Sequence, residues 1–355
     1  VKGRIRSVRP FQEARRVLLT GTPVSESPLN AFPVLQLIAP ERVPSKTRFD
    51  HHFIVRAATK AGPVTVQKAV GYNNLDELKR MLEAVSVRRL KADIRGMPDR
   101  VETVRYCQPS GRQHDHYREI LKGILADIAA SPDWALTLDI ACVKLLRLRQ
   151  VLNSPEILGL DGRSGKYDEL DGVVEEVLSD SGPYEAKLLI WTEWNRAVDL
   201  LASRYSGHGV ITVDQRTTQQ QLAEYERTFD RSDERIVIGT PKKAGTGMDW
   251  LARCRTAIYV EKTYSLVNHV QSIDRIVRRV GEGDPADSPA VQQVKRIKRS
   301  PASILYLHVQ NSVDDAVDFV LRRKIDLGVA LLTEDARLME DGRMDLLQML
   351  QTGMS

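Results

Sequence analysis

Residues 264–281 read YSLVNHVQSIDRIVRRVG. At roughly 100° per residue, Leu266, Val270, Ile273, Val277 and Val280 fall on one stripe, as an amphipathic helix requires. Gln271, Arg275 and Arg278 stand at i, i+4 and i+7 and share a second face, about 140° around from the first. One amide and two guanidiniums held by a buried stripe suit a phosphate chain met across a cleft. A solvated basic face on a surface helix accounts for the same residues. The helix alone leaves both readings open, and the surrounding sequence has to choose between them.

Upstream of it, from the linker DGRSG (161–165) onward, helices and short β-branched runs alternate. The helices are 167–178, 195–205 and 218–229; the strands are 187–191 (KLLIW), 210–213, 235–238 (RIVI) and 256–260 (TAIYV), with a last strand at 303–308 (SILYLH). This pattern predicts an α/β fold with a parallel sheet covered on both faces. Functional groups in such a sheet gather at the carboxyl ends of the strands. The glycine-bearing loop Lys242–Asp249 and the Arg275/Arg278 helix both follow strands as that rule demands. Read alone, the loop is equally an ordinary strand-to-helix turn.

The first part of the chain is less regular. Residues 14–19 (ARRVLL) read as a short buried strand ending in the turn Thr20-Gly21-Thr22-Pro23. Residues 29–38 read as a packed helix with Pro33 near its start, and 42–71 as irregular and basic, with His51-His52 a loop or capping detail. A helix over 76–85 precedes the basic stretch Arg88-Arg89-Leu90-Lys91 and a turn at Gly96-Met97-Pro98. Residues 101–107 alternate as a strand does, and 114–130 and 134–152 read as longer helices, the second stopped by Asn153-Ser154-Pro155. Residues 282–301 carry Lys295, Arg296, Lys298 and Arg299, a run that is solvated or touches nucleic acid. Residues 334–355 are polar and acidic.

Composition sets the outer bounds. The 355 residues suffice for two domains, and 42% hydrophobic with 28% charged residues is ordinary for a globular protein. A net charge of +5 permits an anionic partner without demanding one. Cys107, Cys142 and Cys254 are too scattered for a zinc or disulfide framework, so a reducing, cytoplasmic setting is the default. No apolar run has membrane-span length, and the first residues are no signal peptide. The opening Val suggests a fragment or an unusual start codon.

Five ordered blocks then carry a resemblance: LLTGTPVSESPLNAFPVLQLIAP (18–40), VRRLKADIRGMP (87–98) with ETV and YREIL, LRLRQVLNSP (146–155), KAGTGMDW (243–250) with VEKTYS, and QSIDRIVRRVG (271–281). Over about residues 14–330 the chain resembles the Swi/Snf-like branch of superfamily 2 helicases and DNA translocases, from the third motif of that family through the sixth. The resemblance implies a RecA-like helicase C-terminal lobe over 165–330, a helical protrusion over 111–160, the end of a first RecA-like lobe with the arginine-pair segment over 1–110, and a tail over 331–355. It implies that Arg275 and Arg278 are arginine fingers reaching an ATP γ-phosphate, with Gln271 positioning the nucleotide. It further implies that Gly245, Thr246, Gly247 and Asp249 link nucleotide state to nucleic acid, that Thr20, Gly21 and Thr22 couple hydrolysis to lobe movement, and that Lys243, Thr192, Arg88, Arg89 and Lys91 lie toward DNA.

The sequence departs from the family pattern at Gln215, Leu222, Tyr264-Ser265-Leu266 and Glu282, and an extra residue makes Arg279 a competitor of Arg278. These departures point to a divergent member, from a phage or another mobile element. A P-loop is missing as well: Gly165-Lys166 is followed by Tyr167, with no glycine at 160. Asp168-Glu169 and Asp76-Glu77 lie in polar helical sequence, not at the end of an apolar strand. The expectation is therefore the second half of a motor on double-stranded DNA, with the phosphate cradle and magnesium ligands on an N-terminal lobe in cis or in a partner chain. The rival expectations are a non-catalytic DNA- or protein-binding module and an accessory subunit of a nuclease complex.

Overall fold

The computed structural model describes residues 16–20, 28–43, 45–61, 64–87, 96–130, 145–179, 186–243, 248–278 and 289–330. The chain forms two compact units, one drawn mainly from residues up to 89 and the other mainly from residues 90–318.

In the first unit, helices Ala31–Ile38 and Lys46–Phe53 lead into a hairpin of two antiparallel strands, β1 (Ile54–Ala61) and β2 (Val64–Tyr72), and then helix Leu75–Glu83. The second helix is started by Ser45, whose hydroxyl accepts the Arg48 N–H. Phe49 is the centre of the small core, with ring centroids 5.3 Å from Phe32 and 4.6 Å from Phe53, beside Leu35, Leu78 and Leu82. Two sequence expectations are corrected here. Within 42–71, Lys46–Phe53 is helical and Ile54–Ala61 pairs with Val64–Tyr72: the Ala, Thr and Lys content is a weak strand signal, but each strand supplies partners for the backbone groups that face it across the hairpin. Arg16–Thr20 is not a buried strand. Val17 and Leu19 are 84% and 93% exposed, and among the described residues no neighbouring strand pairs with them. An apolar run becomes a strand only where a ladder exists to receive it.

The second unit is built on a six-stranded sheet, entirely parallel, in the order β3-β8-β7-β4-β6-β5, where β3 is Arg100–Tyr106, β4 Leu188–Trp191, β5 Val210–Val213, β6 Ile236–Gly239, β7 Thr256–Tyr259 and β8 Ala302–His308. It is the parallel α/β sheet the alternating pattern predicts. The sheet reaches back to Arg100, inside the stretch assigned from sequence to the first lobe, because β3 pairs along its whole length with β8.

The central strands are buried on both faces, which is why they read as continuous apolar runs. Leu188 and Ile190 of β4, Ile236 and Ile238 of β6 and Ile258 of β7 point one way, into a core shared with helices Gly111–Ala130, 145–153, Gly165–Ser179 and Asn195–Arg204. Helices 111–130 and 145–153, the stretch read as a protrusion, place Tyr117, Leu121, Ile124, Leu148, Val151 and Leu152 in this core. Leu189, Trp191, Val237, Ala257 and Tyr259 point the other way, against Leu222, Trp250, Leu251, Ile273 and Ile276.

Helix Gly165–Ser179 begins where no side chain fits. A Cβ on Gly165 would lie 1.8 Å from the Gln108 carbonyl oxygen and 2.7 Å from its carbon, both backbone atoms. Gly165→Ala therefore lowers the unfolding free energy by about 3 kcal/mol, read as a shift of the denaturant midpoint.

On the opposite face, helix Leu266–Ile276 lays His269 against the sheet. Its ring centroid is 5.4 Å from that of Tyr259 and 5.8 Å from that of Tyr306, and its Nδ1 has no hydrogen-bond partner among the described residues. Burial, then Lys262 and Arg100, push the imidazole down to about 4. The folded state thus keeps His269 neutral where the unfolded chain protonates it, so stability is lost as pH falls from about 6.5 toward about 4, by on the order of 3 kcal/mol. His269→Gln flattens this acid limb, measured as the difference in unfolding free energy between the two proteins across that window.

Candidate functional site

The carboxyl ends of β4, β6 and β7 meet at one rim, where the chain leaves the sheet through Thr192, Thr240 and Glu261. The helix Leu266–Ile276 that follows β7 is opened by Ser265, whose hydroxyl accepts the Asn268 N–H, and Val277 caps it. Its buried side consists of Leu266, His269, Ser272, Ile273 and Ile276. The predicted stripe is thereby corrected: Val270 is half-buried, and two polar residues lie inside it. Ser272 can be buried because its hydroxyl is 2.6 Å from that of Tyr259 and donates to the His269 carbonyl. The helix stops at Ile276, its last carbonyl receiving a 2.7 Å hydrogen bond from the Arg255 guanidinium. Arg278 therefore does not extend the helical face of Gln271 and Arg275, but stands on the chain just past the cap.

Arg275 and Arg278 nevertheless come together at a single carboxylate. Arg278 Nη1 donates to Asp249 Oδ1, and Arg275 Nη1 lies 4.0 Å from the same oxygen. The Arg275 side chain is 13% exposed, against 35% for Arg278 and 61% for Asp249. Burial, then the like charge of Arg278, lowers the Arg275 pKa, with Asp249 and Asp274 opposing. Its Nε is buried, with no hydrogen-bond partner among the described residues. Gln271 is half-buried on the same helix.

At the ends of β4 and β7 lies a polar network that sequence reasoning did not assign. Glu261, 3% exposed, accepts at Oε1 from the Thr192 hydroxyl at 2.8 Å and from the Glu193 N–H, and at Oε2 from the Asn153 amide. Asn153 in turn accepts from the Tyr167 hydroxyl at 2.8 Å and receives Ser164 at its carbonyl. Burial lifts Glu261 to about 6, against the donated Glu193 N–H, Lys166, Thr192 and Arg149. Lys166 is fully buried, donating to the Val260 carbonyl at 2.8 Å and pairing with Asp314 at 2.7 Å. Gly165-Lys166 is thus a structural joint rather than a phosphate cradle. Arg149 donates to the Lys262 carbonyl at 2.6 Å and lies over the rings of Tyr264, at 4.5 Å, and Trp194, at 5.4 Å. The signal available beforehand was an acid placed directly after an apolar run, YV-Glu261, where a buried charge needs donors.

The other expected site residues fare differently. Thr192 is fully buried with its hydroxyl committed to Glu261, so that hydroxyl does not face a nucleic-acid strand. Lys243 is half-buried and folds back to donate to the Thr217 carbonyl at 2.9 Å. Thr20 is exposed. Gly21, Thr22, Arg88, Arg89, Lys91, Gly245, Thr246, Gly247 and Arg279 lie outside the described residues.

The family model of the SNF2-related domain matches residues 3–157. Similar proteins include a probable chromatin-remodeling complex ATPase chain of Oryza sativa subsp. japonica, 22% identical over 98% of this chain and 30% of that protein. A SWI/SNF-related matrix-associated actin-dependent regulator of chromatin, subfamily A member 1, of Mus musculus is 23% identical over 98% and 32%. Among solved structures, the Sulfolobus solfataricus SWI2/SNF2 ATPase core domain aligns at a TM-score of 0.49 and 19% identity, covering 89% of this chain and 60% of that one. The chain spans about a third of the length of these two curated relatives. With the SNF2-related domain model matched over residues 3–157 and both relatives aligned nearly end to end, the chain is similar to the Swi/Snf-like proteins of superfamily 2 helicase type.

Proposed function

We propose that this chain supplies the second half of an ATP-dependent double-stranded-DNA translocase, with Arg275 and Arg278 as fingers for the γ-phosphate of ATP. The observation that carries the reading is the convergence of the two guanidiniums on one oxygen, with Arg275 partly desolvated and its Nε unpartnered among the described residues. Groups so arranged stabilise charge that develops on a transferred phosphoryl group. The Oryza sativa relative, named as a probable chromatin-remodeling complex ATPase chain, supports the same chemistry.

In this reading Arg275 is the rigid finger, on a helix packed to the sheet, and Arg278 the mobile one. Gln271 orients the nucleotide from the preceding turn. The Glu261 network fixes the ends of β4 and β7, and hence the base from which the finger helix departs. Magnesium and the phosphate cradle belong to a P-loop lobe, in the same polypeptide or another, because the sequence given contains no GxxxxGK followed by Ser or Thr. DNA is held through its phosphates, so binding weakens steeply with salt and shows little base preference.

DNA-stimulated ATP hydrolysis is the test, measured on this chain alone and mixed with a Swi/Snf-type P-loop lobe. The expected outcome is activity in the mixture only, lowered roughly a thousandfold or more by Arg275→Ala. Salt-sensitive DNA binding with no hydrolysis in either case, and no effect of Arg275→Ala on that binding, would instead make the chain a binding module.

A further inference from the structure

The Asp249 carboxylate faces both Arg275 and Arg278. Its carboxylate oxygen holds Arg278 directly and is 4.0 Å from Arg275, so both proposed fingers are neutralised in part by an acid of their own chain. The three partners differ in how freely they move. Asp249 opens the turn Asp249–Arg253, in which Trp250, Leu251, Ala252 and Arg253 are all buried, so its backbone is anchored. Arg275 lies within the helix Leu266–Ile276, one residue from its end. Arg278 lies beyond the cap residue Val277, with its side chain 35% exposed. Of the three, Arg278 is the one that can leave without moving the core.

We infer that Asp249 is the internal counter-ion of Arg275 and Arg278, an acid that a polyphosphate must displace before the arginines engage it. The inference rests on the reading of these arginines as phosphate-facing. An exposed ion pair between flexible side chains is weak and screened by salt, so displacement by a ligand carrying several negative charges is feasible. The two guanidiniums and one carboxylate leave a single net positive charge at the rim. Asp274, on the same helix, adds to the acidic field felt by Arg275. Asp249 thereby makes the site selective: a monoanion gains little over the carboxylate already present, whereas a triphosphate spans both arginines and replaces it in bidentate fashion. The acid also keeps two like charges together while no ligand is bound.

The test is binding of magnesium-free inorganic tripolyphosphate to the whole chain, by titration calorimetry at low salt, with sodium chloride of matched ionic strength as control. The expected result is that Asp249→Asn binds roughly five- to tenfold tighter than the unaltered chain, that the gain shrinks at high salt, and that Arg278→Ala abolishes it. Asp249→Ser is the second variant, and unchanged thermal unfolding confirms that both remain folded. Tripolyphosphate binding that depends on Arg278 but is no tighter in either Asp249 variant overturns the counter-ion inference and leaves the finger reading standing. Absence of binding in every protein, or binding indifferent to Arg275→Ala and Arg278→Ala, overturns both.

Discussion

The rim of this sheet depends on one buried charge. Glu261 leaves water at the end of β7, and a carboxylate there is tolerable only because donors surround it. Those donors come from separate elements: Thr192 and the Glu193 N–H from the end of β4, and Asn153 from the end of helix 145–153. Each therefore fixes the position of one element against another. Lys166 repeats the device one layer away, binding the Val260 carbonyl and Asp314 together. Neither group gains by exchanging its partners. Removing any one donor leaves a buried acceptor short, a cost larger than the bond itself contributes.

That joint matters because of where the strand order places it. Strand β4 is central, with β6 on one side and β7 on the other, so the chain exits the sheet in two directions around it. Loops leaving such a point diverge and open a crevice at the strand ends. The loop after β6 brings Asp249, and the helix after β7 brings Arg275 and Arg278. Their meeting is a consequence of topology, since the sheet delivers both segments to the same rim and the Glu261 network keeps that rim from spreading.

Much of this was legible in the sequence because the strands are buried on both faces. Runs such as LLIW and TAIY admit few other readings once helices separate them, and the ends found by the fold lie within a residue or two of those expected. The misreadings have specific physical causes. Hydrophobic periodicity could not place His269 and Ser272 on the buried side of helix Leu266–Ile276, because their burial depends on Tyr259 and Tyr306, which are distant in sequence. The bond from the Thr192 hydroxyl to Glu261 joins residues 69 apart in the chain, which no local pattern reveals. The hairpin β1–β2 carries Arg56, Lys60, Lys68 and several small residues, and its pairing across the ladder, invisible to composition, defines it. Val17 and Leu19 erred in the opposite direction: local preference favoured a strand, and no ladder among the described residues takes them up.

The electrostatics of the arginine pair follow from the same packing. A guanidinium gives up hydration when the helix carrying it is drawn onto the sheet, and Arg275 recovers only part of what it loses. Its Nε has no hydrogen-bond partner among the described residues, and the neighbouring Arg278 adds repulsion that one shared carboxylate cannot cancel. In a flexible loop these groups would separate and rehydrate. Here Ile273, Ile276 and Val277 hold the end of the helix in the core, so Arg275 stays near Asp249. Asp249 gives partial relief with a single charge. A phosphate chain offers more charge and a geometry matched to two planar forks. The cost of assembling two cations at this rim is borne by the folding of the sheet and its helices, before any ligand arrives, and that prior assembly is what electrostatic preorganisation means in physical terms.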